Sequence, residues 1–289
     1  MDSDKKPTQQ YFPTGSLQDG RYILVNISEQ GGMESAILAR DLHMENQLVT
    51  IKAMIPSNSG PEARHEDIRN FELVLETLYR LNHPLIPAVT DSFREGTRYF
   101  LVQEYVVGAN LQGLIERLMR PLPERAVLAH ASQMLDILNY LEYQTPPIVH
   151  RNIKPANIIV SSKDKQAHLV DFSIARVLVN KKVNRKQIAL GTPGYAPPEQ
   201  YQDKADTRSD QYALAATLHH LLTNRDPQNQ PPFAYPPVRL LNPQLSPDIE
   251  RVLERALTID AKKRYQNAAT MKQDIDEILV ERFGVDKSG

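Results

Sequence analysis

The sequence predicts an α+β fold in two parts, a five-stranded β lobe with one helix followed by a mainly α-helical lobe. Up to about residue 105 the apolar residues fall in short β-branched runs bounded by polar or glycine-containing turns. Beyond that point they recur at three- and four-residue intervals over long stretches, the period of a helix face. With 289 residues, 41% of them hydrophobic, the chain is long enough to bury a sizeable core in each part.

Residues 1–18 are polar, carry Pro7, Pro13 and Gly15, and read as a flexible leader. Residues 22–27, 35–39 and 47–53 then read as three antiparallel strands. From Pro61 to Leu81 the apolar residues Ile68, Phe71, Leu75, Leu78 and Leu81 stand at helical spacing, and His83-Pro84 closes the helix. Residues 88–92 and 98–105 supply two further strands. In the second part, 123–143 carries Val127, Ala131, Met134, Leu138 and Leu141 on one helical face. Residues 210–223 are apolar nearly all round, as a core helix is. The Pro-, Asn- and Gln-rich text to Pro247 reads as an extended loop, and helices over 249–257 and 268–283 close the chain.

Composition excludes several functions. Thirty-four basic residues against 35 acidic ones leave a net charge of −1, so no global field points to nucleic acid. No apolar run reaches the ~18 residues of a membrane span. The N-terminus has no charged region followed by an apolar core. The absence of cysteine excludes thiol chemistry and fits a reducing cytoplasm, the expected location.

One stretch carries the chemistry. It reads His150-Arg151-Asn152-Ile153-Lys154-Pro155-Ala156-Asn157, followed further on by Asp171-Phe172-Ser173. This resembles the catalytic loop and metal-binding turn of a Ser/Thr protein kinase, H-R-D-x-K-x-x-N and then D-F-G. Around it, Val49-Thr50-Ile51-Lys52 resembles V-A-I-K, and Glu104-Tyr105-Val106 falls where the adenine-binding hinge would be. Gly191-Thr192-Pro193-Gly194-Tyr195 through Glu199 resembles the end of an activation segment. Asp210 fits the aspartate of the central helix, and Arg264 the arginine that pairs with Glu199. In this order the motifs identify the chain as a member of the protein kinase superfamily, closest in wording to bacterial eukaryote-like Ser/Thr kinases.

The resemblance implies a bilobal protein-kinase-like domain over 19–284, with an N-lobe over about 19–103, a hinge over 104–108 and a C-lobe over 109–284. It implies nucleotide contacts at Gly31, Gly32, Lys52, Glu104 and Val106, magnesium ligands at Asn157 and Asp171, and a phosphate-neutralising role for Lys154. The departures are as informative. Asn152 stands where the general-base aspartate belongs, and an amide accepts no proton at neutral pH. Glu29 and Glu34 replace glycines that let backbone amides approach phosphate. Val74 replaces the helix glutamate that would pair with Lys52, Thr50 replaces an alanine, and Ser173 a glycine. A disabling Asp-to-Asn exchange in an active enzyme explains Asn152 alone and leaves Glu29, Glu34 and Val74 unexplained.

The resemblance with these departures implies a pseudokinase, a regulatory or scaffolding module in which ATP and magnesium bind weakly or not at all. The alternative is a weakly active or nucleotide-gated atypical Ser/Thr kinase. The expected partner is a protein, an active kinase or its substrate. Its expected docking site is the basic activation segment, where Arg176, Lys181, Lys182, Arg185 and Lys186 occur with no acid and no Ser, Thr or Tyr among them. His219 and His220 lie on an apolar helix with no third ligand at metal spacing and read as packing residues.

Overall fold

The computed structural model describes residues 15–28, 36–54, 60–172, 176–177 and 191–284. Contacts divide the chain into two units, one running to Arg80 and including Ala88–Tyr105, the other comprising Leu81–Pro87 and the residues from Val106 on.

The first unit is an antiparallel sheet with one helix. Its strands are β1 (Ser16–Leu17), β2 (Tyr22–Ser28), β3 (Ala36–Asp41), β4 (Gln47–Met54), β5 (Val89–Glu95) and β6 (Arg98–Glu104), and its helix is α1 (Pro61–Arg80). The strand order is β1-β2-β3-β4-β6-β5. The five expected strands are all present, and β1 adds a two-residue edge from text that had read as leader. Leu17 explains why: it is buried with Tyr22, Ile37, Ala39, Val49, Ile51, Ala53, Phe100 and Val102 in the core of this unit. Alternation along β4 sends Val49, Ile51 and Ala53 into that core and turns Thr50 and Lys52 to the other face. Tyr22, Phe93 and Phe100 stack in succession, with centroids 5.5 and 4.8 Å apart.

The second unit is mainly helical. Strand β7 (Gly108–Asn110) leads into helix α2 (Leu111–Leu118), and α3 (Glu124–Glu142) follows. Short strands β8 (Ile148–Val149), β9 (Ile158–Ser161), β10 (Ala167–Leu169) and β11 (Arg176–Val177) come next. Helices α4 (Thr207–Thr223), α5 (Val238–Leu241), α6 (Pro247–Ala256) and α7 (Ala268–Phe283) complete it. α3 packs on α4 and α7, and α4 also packs on α6. α4 is buried at every position from Ser209 to Leu222, so its neighbours surround it on all sides. It begins on a capping box in which Asp206 and Ser209 exchange side-chain and backbone bonds. β9 pairs with both β7 and β10, and the turn before β9 carries the kinase-like loop.

Candidate functional site

The loop from His150 to Asn157 is anchored from below by α4. Asp210, in the first turn of α4, accepts the backbone N–H of His150 at 2.6 Å and of Arg151 at 2.8 Å. The carboxyl is buried, and burial pushes its pKa up to about 7, against the pull of those two bonds. Arg151 takes a left-handed φ of +69°, which a side chain adopts only where neighbours over-determine it. Here its N–H is held by Asp210 and its carbonyl by Gln200 Nε2 at 2.8 Å. Gly191 makes room for that contact, since its φ is +82° and a Cβ would stand 2.2 Å from Gln200 Nε2 and 2.9 Å from the Arg151 carbonyl.

His150 packs edge-on against Phe172, with centroids 4.5 Å apart. Its Nδ1 accepts the Asn152 N–H at 3.2 Å, so the ring proton sits on Nε2 and is donated to the Val170 carbonyl at 3.2 Å. The loop and the Asp171 turn are therefore tied together by backbone and ring, and the Val170 N–H donates to the Asn157 carbonyl at 3.0 Å.

At the centre three sequence-predicted residues meet. Asn152 Nδ2 donates to Asp171 Oδ2 at 3.0 Å. Asn157 Nδ2 donates to the Asn152 carbonyl at 2.8 Å and approaches Asp171 Oδ2 at 3.4 Å. Asp171 itself sits at φ +71°. The fourth participant, Thr192, was quoted in the sequence only as part of a motif, and its hydroxyl donates to Asn152 Oδ1 at 2.9 Å. Lys154 is half-buried two residues after Asn152.

The segment after Thr192 is fixed just as firmly. Tyr195 Oη and His220 Nδ1 are 2.7 Å apart, and Tyr235 donates its hydroxyl proton to the Gly194 carbonyl. His219 Nε2 meets the Pro236 carbonyl at 2.9 Å, so both histidines of α4 take part in packing. Arg264, buried beneath, grips Glu199 in a two-pronged ion pair.

The remaining predicted residues belong to the first unit or to the connection beyond it. Lys52 is half-buried on β4, opposite Ala36 of β3 and Leu101 of β6. Glu104 ends β6 and accepts the Ala88 N–H at 3.1 Å, while Val106 opens the second unit, half-buried. α1 does run through Val74, and the flanking Glu72 and Glu76 are exposed, Glu76 paired with Arg80 at 2.7 Å. Gly31, Gly32, Glu29, Glu34, Ser173 and the cations from Lys181 to Lys186 lie outside the described residues.

Comparison with known proteins decides the family. The protein kinase domain family matches residues 30–275. The chain belongs to the protein kinase domain family. A probable serine/threonine-protein kinase of Streptomyces coelicolor is 32% identical over 283 residues, covering 90% of this chain and 40% of that protein. Serine/threonine-protein kinase C of Synechocystis is 32% identical over 272 residues, 90% of this chain and 50% of that one. Serine/threonine-protein kinase PknB of Mycobacterium tuberculosis is 32% identical over 286 residues, 91% of this chain and 43% of that one. The kinase-like chain thus spans half or less of the length of these curated relatives. The family's phosphoryl donor is ATP with magnesium. Among the described residues of this kinase-like chain, no group of three His, Asp or Glu could hold a metal ion, and no helix is long and apolar enough to cross a membrane.

Proposed function

We propose that this kinase-like domain has lost phosphoryl transfer and acts as a regulatory or scaffolding module that binds another protein. The observation that carries the reading is the setting of Asn152. Its Oδ1 accepts from Thr192 and its Nδ2 donates to Asp171, so the position of the general base offers a substrate hydroxyl no proton acceptor. As arranged, the residues do not fit a magnesium ion either. The carboxylate oxygen that would face the metal faces two amide N–H groups, whose partial positive charge stands where the cation would. Weak or absent ATP binding follows in the same reading from Glu29, Glu34, Thr50 and Val74. The partner we propose carries an acidic surface and meets Lys181, Lys182, Arg185 and Lys186 of the activation segment.

Transfer of radiolabelled phosphate from MgATP to a generic protein substrate tests the reading. We expect no turnover above a control lacking the protein, and turnover that disappears on Lys154→Ala would overturn it. A second reading, a nucleotide-gated or weakly active kinase, draws on Asn157. Its amide nitrogen is taken by the Asn152 carbonyl at 2.8 Å, which leaves its oxygen as the ligand atom. A melting shift with micromolar MgATP favours that alternative, since a hundredfold excess over Kd stabilises by about 2.7 kcal/mol.

A further inference from the structure

We propose that Asn152 takes the place of a divalent cation at Asp171, and that Thr192 fixes which end of the amide faces the carboxylate. The inference deepens the reading above and rests on it in one respect, that position 152 carries no catalytic proton acceptor.

The two ends of a carboxamide have nearly the same shape, and only their neighbours decide which way it points. Here the Thr192 hydroxyl, at 2.9 Å, donates to Oδ1 and so directs Nδ2 to Asp171 Oδ2 at 3.0 Å. Asn157 adds a second N–H on the same oxygen at 3.4 Å and clamps the Asn152 carbonyl at 2.8 Å. Thr192 is itself held in place by its neighbour: Gly191 has the only side chain size that allows Gln200 to reach the Arg151 carbonyl behind it. Asp171 therefore has its charge answered by fixed protein dipoles. With aspartate at 152 a second negative oxygen would stand about 3 Å from the first, an arrangement in which like charges resist joint ionisation or require a cation between them. The natural residue makes the order of the loop independent of ions, so the domain can present one surface to a partner in the absence of metal or nucleotide.

The experiment is thermal melting of the whole chain in magnesium chloride against chelator, with no nucleotide present. Wild type should melt at the same temperature in both. Asn152→Asp should melt several degrees lower in chelator and recover with magnesium. Asn152→Ala, which removes the N–H without adding charge, should be lowered in both and not recover. If Asn152→Asp does not stay folded in chelator, its refolding on addition of magnesium reads the same comparison, and failure to refold overturns the inference. Magnesium stabilisation of wild type, or an Asn152→Asp variant as stable as wild type in chelator, overturns it as well. Thr192→Val should lose hydrogen-exchange protection over residues 150–157, and unchanged protection would remove Thr192 from the assignment. Melting without nucleotide is blind to phosphoryl transfer, so this inference and the proposed function fail on different results.

Discussion

Glu199 and Arg264 face each other through two parallel bonds, Nη1 to Oε1 at 2.7 Å and Nη2 to Oε2 at 3.0 Å. The guanidinium is fully enclosed, lies 4.7 Å from the centroid of the Tyr212 ring, and also donates to the carbonyls of Thr258 and Ile259. Ser209 of α4 adds its hydroxyl to Glu199 Oε1 at 2.9 Å. The pair thus joins the end of the activation segment, the start of α4 and the turn before α7, with no part in any reaction.

Removing one partner leaves a buried charge. Glu199→Ala should destabilise the fold by about 3–5 kcal/mol, the usual cost of breaking a buried pair from one side. Arg264→Lys should lose much of the same amount, because an ammonium cannot reproduce the planar fork. Urea unfolding checks both, and a loss under about 1 kcal/mol, as for an exposed pair, would contradict the enclosure seen here.

Asp210 makes the second unit sensitive to pH. Its folded pKa of about 7 lies above the ordinary 3.8, so the native state holds a proton that the unfolded chain releases. The contribution is complete below the ordinary value and declines as pH rises toward about 7, by about 1.4 kcal/mol per pH unit within that window. Wild type should accordingly lose stability between about pH 5 and pH 7 relative to Asp210→Asn, which has no proton to lose. Parallel stability curves for the two proteins would show that the carboxylate is better accommodated than its burial indicates.

The first unit has the opposite dependence. Asp41 is buried and takes Arg21 Nε at 2.9 Å and Nη2 at 2.8 Å, while Arg21 Nη1 reaches Asp91 at 2.6 Å. The hydrogen bonds from Arg21 hold the Asp41 carboxyl below its usual range. Its stabilisation is therefore present above the ordinary carboxylate pKa and lost as pH falls through the lower folded value. Asp41→Asn should weaken the sheet by about 1–3 kcal/mol at neutral pH and flatten its acid-unfolding profile, followed by far-UV circular dichroism. A variant with the wild-type acid slope would show that other carboxylates set it.

The motifs were legible in the sequence because their spacing is their meaning: Asn152, Asn157 and Asp171 do converge, and Arg264 does meet Glu199. The long elements were legible for the same reason, since α3, α4 and α7 carry apolar residues over many turns. α2 was not read, because eight residues with Leu111 and Ile115 buried offer one repeat of a helical period. Its cue was Asn110, which caps the helix by accepting the Gly113 N–H at 2.7 Å. The pairing of β9 with β7 was also missed, as Gly108 and Ser161 are brought together by tertiary packing and not by any local pattern. Thr192 on Asn152 is the same kind of contact: forty residues separate them, and neither residue names the other.

The last prediction is that Asn152→Asp alone does not restore phosphoryl transfer. If the base were the only defect, its return should recover the roughly 10²- to 10⁴-fold that a general base supplies, equivalent to about 3–5 kcal/mol. Positioning of the triphosphate can supply about 7–11 kcal/mol, and there the chain departs further. α1 is a regular helix through Val74, so Glu72 and Glu76 lie about 200° around it from that position. Glu76 is already engaged with Arg80 in solvent. No glutamate therefore takes the family's place opposite Lys52 from that turn of α1. Glu29 and Glu34 add carboxylates where glycine amides would cradle phosphate. Val74→Glu combined with Asn152→Asp should help modestly, and Glu29→Gly with Glu34→Gly should matter at least as much. Generic-substrate transfer measured for the single, double and quadruple variants orders these deficits. Robust activity from Asn152→Asp by itself would mean that the nucleotide is held well and that the lost base is the whole of the defect.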